Sequence, residues 1–162
     1  MQNQPDQVME RAAEGLAAGQ RGDRAAARSI FDELWTQIGG DAGDPLHRCA
    51  IAHWMADVQD DPHEELAWEL RALDAADSVT DARAEQAGMA ANAAALYPSL
   101  HLNLADVHLR LGNEERSRAH LALGRSTIDS LPDDGYTAMI REGLTRVEEQ
   151  LSGAADAEQS TP

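Results

Sequence analysis

Lysine is absent from this chain. All thirteen basic residues are arginine, set against 29 Asp and Glu, for a formal charge of −16. So acidic a surface repels phosphate backbones and anionic headgroups, so neither nucleic acid nor a membrane is an expected partner. Arginine in place of lysine, with abundant Ala, Asp and Gly, is the usage of a GC-rich bacterial genome. Aromatic residues make up only 4%, so a core must be built from Ala and Leu. With few β-branched residues, that composition favours helix over sheet. Cys49 is the single cysteine, which excludes an intramolecular disulfide. No stretch approaches the roughly 18 apolar residues that a membrane span needs. The start, "MQNQPDQVMER", has neither a basic n-region nor an apolar h-region, and a cytoplasmic location is expected.

What the sequence does have is helix punctuation. Its 162 residues leave room for one domain with a real core. "GDRAAARSIFDELW" opens on Asp23 as N-cap and carries Ala27, Ile30, Phe31 and Leu34 on one helical stripe. "DDPHEELAWELRAL" places Asp61 at N-cap, Pro62 in the first turn and Glu64 where a capping box needs it. Asp44 and Pro45 repeat the device, and Asn113 follows Gly112 as the cap of a further helix. The spacing predicts helices over about 6–20, 23–38, 45–59, 62–76, 98–111, 113–129 and 135–151. Residues 78–97 are expected to be partly helical. The last helix gathers Tyr136, Ile140, Leu144, Val147 and Leu151 on one face, as a terminal cap of a helical array requires. Residues 1–5 and 152–162 are small and polar, and are expected to be disordered.

The segments "EGLAAGQRGDRAAARSIF" and "LADVHLRLGNEERSRAHL" align without gaps on Gly22 and Gly112. Small residues precede the turn (Gly15, Ala105) and follow it (Ala27, Ser117), and a bulky one comes next (Phe31, Leu121). Facing small residues let two antiparallel helices approach closely, and the bulky side chain fills the space beside them. "WMADVQDDPHEELAWEL" reads as a third copy, with Asp61 at the turn, Leu66 at the small position and Leu70 at the bulky one. This pattern resembles the tetratricopeptide repeat, a helix–turn–helix unit. The resemblance implies an all-α fold: antiparallel helix pairs stacked as a short right-handed solenoid. Repeats would occupy about 8–39, 45–76 and 98–130 of a single domain over 6–151, with an insertion at 78–97 and a capping helix at 135–151.

Chemical motifs are sparse. His101 and His108 share one face with Leu104 and Ala105, and occupy slots that the family fills with aromatic residues. They are expected to pack as imidazoles; the alternative is a metal or pH-sensitive cluster completed by His120. The carboxylates of "ADVQDDPHEE" lack the alternation of a calcium loop, and helix capping accounts for Asp61, Glu64 and Glu65. His53 and Asp57 in "HWMAD" fall far short of a zincin helix. Cys49 is expected to be a small buried thiol, and Trp35, Trp54 and Trp68 to be packing residues. No cofactor and no catalytic or metal site is expected.

What the resemblance implies about function is a concave face lined by the first helix of each pair. Its slots would hold Met9, Ala12, Leu16 and Gln20 in the first copy, Arg48, Ile51 and Met55 in the second, and Leu102, Asn103, Asp106 and Arg110 in the third. Asn103 matches a slot that many family members use to hold a ligand backbone. The expected role is a non-catalytic scaffold or binding module for a protein or peptide, and a homodimer is compatible with it. The alternatives are a small-molecule or peptide sensor with 78–97 as its lid, and a metal-dependent enzyme.

Overall fold

The computed structural model describes residues 6–89 and 91–160. The segment 1–5 lies outside the described residues. Contacts divide the chain into two compact units, one ending at Val79 and the other starting at Thr80. Among the described residues every regular element is helical, and no strand occurs.

The first unit comprises α1 (Gln7–Gln20), α2 (Arg24–Gln37), a 3-10 turn (Gly40–Ala42), α3 (Pro45–Asp57) and α4 (Pro62–Ala76). Each α-helix starts on an aspartate whose carboxylate accepts from first-turn amides: Asp6, Asp23, Asp44 and Asp61. Such a cap stabilises a helix by about 1 kcal/mol. Asp6 also reaches the His47 ring at 2.7 Å, tying the start of α1 to α3. Burial works to raise the Asp6 pKa, but the His47 hydrogen bond and the amides of Met9 and Val8 outweigh it, and the net direction is down.

Between α1 and α2, Gly22 takes a φ of +82°, which L side chains rarely adopt. The amides of Gly22 and Asp23 then donate back to the Gly19 and Ala18 carbonyls, closing the helix end. The turn folds α2 back so that Gly15 lies against the Phe31 ring. The core beneath holds Ala12, Ala27, Phe31, Leu34, Ile51 and Met55. All three tryptophans pack in this unit. Trp35 meets Trp68 edge-on at 5.2 Å, Trp54 lies 6.3 Å from Phe31, and Arg71 stacks over Trp68 at 4.3 Å.

One register differs from the sequence expectation. Leu70 is 47% exposed, whereas Glu69 is fully buried. Counted from Asp60 instead of Asp61, His53 falls in the slot of Gly15 and Ala105, and Glu69 in that of Phe31 and Leu121. The His53 Nδ1 lies 3.0 and 3.1 Å from the two Glu69 carboxylate oxygens. A carboxylate tolerates a core slot only when it is paired and hydrogen-bonded. Apolarity alone therefore pointed to the wrong neighbour.

The second unit comprises α5 (Asp81–Gln86), a 3-10 turn (Ala93–Leu96), α6 (Tyr97–Arg110), α7 (Glu114–Thr127), a 3-10 turn (Ile128–Ser130) and α8 (Gly135–Gln159). Gly112, at φ +79°, repeats the closure of Gly22: its amide and that of Asn113 donate to the Leu109 and His108 carbonyls. Ser117 Oγ donates 2.7 Å across the pair to the Ala105 carbonyl. Asn113 holds the N-cap position of α7, but its side chain makes no capping hydrogen bond.

Two expectations for the last helix change. Tyr136 is 49% exposed and stands outside the buried stripe of Ile140, Leu144, Val147 and Leu151. The helix runs on to Gln159 through the stretch expected to be disordered. Apolar periodicity stops at Leu151, but "AADAEQ" consists largely of strong helix formers, which need no packing face to extend an existing helix.

α7 runs antiparallel to α6, with Ser117 opposite Ala105 and Gly124 opposite His101. α8 runs antiparallel to α7: Arg118 donates to the Leu151 carbonyl, Arg125 pairs with Glu148, and Asp129 with Arg141. α6 and α8 therefore lie side by side in the same direction, with Leu102 seated over Gly143.

Candidate functional site

The close approach at Gly143 sets the shape of a cleft between α6 and α8. A Cβ on Gly143 would come within 2.6 Å of Leu102 Cδ2, so the glycine leaves room for the Leu102 side chain where it now lies. The cleft is about 350 Å³, and its walls are Leu102, Asn103 and Asp106 from α6 with Gly143, Arg146, Val147 and Gln150 from α8. The side chains combine two apolar contacts with two amides, one carboxylate and one guanidinium. Asp106 is held by Arg110, one turn on, at 2.9 Å. Amides both donate and accept, and the opposite charges sit on opposite walls. Such a lining complements a polar backbone that carries both kinds of group.

The groove candidates from the sequence do not all reach a comparable surface. Leu102, Asn103 and Asp106 converge on the cleft, with Arg110 beside them. In the first unit, Ala12, Ile51 and Met55 are core residues, between 0 and 3% exposed, and present nothing to a partner. Arg48 is half-buried and turns toward Asp74 at 3.4 Å, with its Nε buried and without a hydrogen-bond partner. Met9 and Leu16 are half-buried, Leu16 against the core, and Gln20 is exposed. The α8 wall escaped the sequence reading. Its signal is a glycine in mid-helix, a costly residue there, at the head of the spacing Gly143, Arg146, Gln150.

No described residue of the segment 78–97 lines this cleft. Its described part in the second unit packs there: Asp81 accepts from the Ala93 amide at 3.0 Å, and Ala84 is fully buried.

The three histidines of α6 and α7 form a column. His120 stacks on His101 (centroids 5.4 Å) and on His108 (5.5 Å, rings within 4° of parallel), and Tyr97 stacks on His101 at 5.9 Å. The Nδ1 atoms of His101 and His120 are 3.1 Å apart, and the buried Nδ1 of His108 has no hydrogen-bond partner. Among the described residues, no group of three or more His, Cys, Asp or Glu side chains is placed to hold a metal ion.

The other candidates are engaged structurally. Asp60 pairs with Arg24 and Arg28, and Asp61 caps α4. Cys49 is buried, and burial together with the Glu69 charge pushes its thiol pKa up to about 12, which leaves it a poor nucleophile. Among the described residues no helix is long and apolar enough to cross a membrane. No family model, no curated protein and no solved structure matches this chain.

Proposed function

We propose that this protein is a non-catalytic binding or scaffolding module, a degenerate relative of tetratricopeptide-repeat proteins, that holds a peptide segment of a protein partner in the α6–α8 cleft. One observation carries the reading. Leu102, Asn103 and Asp106, singled out by the repeat pattern, share one cleft with Gly143, Arg146, Val147 and Gln150. The matched turns at Gly22 and Gly112 and the parallel course of α6 and α8 are what a stack of helix pairs needs, with α8 as its capping helix. A cleft of this size accommodates one or two residues of an extended chain. Asn103 and Gln150 face the ligand's amides, and Leu102 and Val147 its side chains.

The test is selection from a displayed random-peptide library against the full chain, followed by titration of the enriched peptides. Asn103→Ala and Gly143→Leu, which fills the cleft, are expected to weaken binding at least tenfold. Peptides that bind both variants as tightly as the original chain, or a library that yields no binder, would overturn the reading.

A further inference from the structure

Two large apolar side chains stand exposed on one stripe of α8: Tyr136 at 49% and Met139 at 55%. They precede Gly143 by seven and four residues, so at about 3.6 residues per turn they share its side of the helix with Arg146 and Gln150 of the cleft wall. The length of α6 explains why they are bare. Counted back from the contact of Leu102 with Gly143, α6 begins at Tyr97, five residues away, whereas α8 continues to Gly135, eight residues away. The two helices run parallel, so Met139 lies beside the start of α6 and Tyr136 beyond it. The cleft therefore opens onto an apolar shelf carried by α8.

At the other end of the stripe stands Arg146. Of the two charged side chains that line the cleft, Asp106 is paired with Arg110. Arg146 is exposed and forms no ion pair among the described residues, its helix neighbour Glu142 included. It is an unneutralised cation in a chain whose net charge is −16.

We infer that the shelf and Arg146 together select the partner segment: a large apolar side chain sits on Tyr136 and Met139, a single carboxylate meets Arg146, and the rest of the segment is basic. This rests on the cleft being a peptide site and adds which peptide it takes. Met139 and Arg146 are seven residues apart, about 10 Å along the helix axis. An extended chain rises about 3.3 Å per residue, which puts anchor and carboxylate about three residues apart, in either order. The two charge requirements act at different ranges. The field of so acidic a chain draws a basic segment from a distance, whereas at contact a guanidinium takes a carboxylate through paired N–H donors. The same field opposes a second copy of this chain as the occupant.

The probes are short, fluorescently labelled synthetic peptides flanked by arginine, each with one Leu and one Glu, their separation stepped residue by residue. They are titrated against the full chain by anisotropy. The tightest binding is expected at a separation of about three residues, and Glu→Gln in that peptide is expected to weaken it about fivefold. Arg146→Glu is expected to weaken it at least tenfold and to favour the peptide with Lys in place of Glu. Tyr136→Ser with Met139→Ser is expected to cost at least tenfold. All three side chains are exposed, so these changes leave the core intact. No binding by any of the peptides, no dependence on separation, or unchanged affinity in the Arg146 or the double serine variant would overturn the inference. So would a dimer of the original chain in sedimentation that the double serine variant abolishes, since the shelf would then belong to a second copy. Peptides from the random library that need Asn103 but neither Arg146 nor the shelf would leave the cleft reading standing and remove this one alone.

Discussion

Gly143 of α8 lies directly beneath Leu102 of α6, close enough that a Cβ on the glycine would fall 2.6 Å from Leu102 Cδ2. The same kind of approach occurs in the first unit, where a Cβ on Gly15 would meet the Phe31 ring at 2.7 and 2.9 Å. What differs is the neighbour. Leu102 is half-buried and can turn its end aside, whereas Phe31 is a rigid ring only 1% exposed.

Gly15→Ala and Gly143→Ala are therefore expected to differ in effect. Alanine returns about 1 kcal/mol of helix propensity at both sites. Overpacking at Phe31 is expected to cost roughly 2–3 kcal/mol, giving net destabilisation. At Leu102 the cost is about 1 kcal/mol, close to neutral. Urea denaturation of the two variants checks the order.

The His53–Glu69 pair predicts a pattern in three variants. Glu69→Ala leaves His53 without its partner and opens a void, and is expected to cost about 3–5 kcal/mol. A double variant, His53→Leu with Glu69→Leu, is expected to recover most of that loss, because apolar side chains of similar volume have no charge to desolvate. A double variant no more stable than Glu69→Ala would show that the pair itself holds the unit together.

The same pair predicts a pH dependence. Burial opposes the charge on His53, but the Glu69 carboxylate, by charge and hydrogen bond, and Asp57 hold it on, and the net direction of its pKa is up. The folded chain then keeps a proton that the unfolded chain releases. Its contribution is fully present below the ordinary value of 6.5 and is lost as the pH rises through the elevated one. All three tryptophans lie in the first unit, so their fluorescence reports on it alone. The urea midpoint read this way is expected to fall between about pH 6 and pH 9, and to stay flat in Glu69→Gln.

Cys49 is expected to resist alkylation at neutral pH. With the thiol buried and its pKa near 12, modification has to wait for opening of the first unit. The alkylation rate is expected to rise with urea in parallel with tryptophan fluorescence. Fast labelling in buffer alone would contradict the burial of this side chain.

Most of the helices were legible because their ends are set locally. Asp23, Asp44 and Asp61 cap within three residues of themselves, and Gly22 and Gly112 close their turns with bonds to the preceding helix. The core was less legible. Glu69 is hidden in the slot that apolarity assigned to Leu70, because its acceptability depends on His53, on another helix. Tyr136 looked like a core residue and is half exposed, because periodicity alone does not show where a covering helix ends. Of the groove candidates, Ala12, Ile51 and Met55 went into the core, since in Ala-rich helices the inward and outward apolar faces look alike in sequence.

The sequence by itself determined that the chain is helical, where most helices begin, and which two turns repeat. Those features rest on capping, propensity and glycine's access to positive φ, all of which act within a few residues. Only the tertiary structure decided that α8 lies parallel to α6 over Gly143, that His53 meets Glu69, and that three imidazoles stack between α6 and α7. Each depends on which side chains meet across helices, and packing in three dimensions selects those partners in a way that no local pattern encodes.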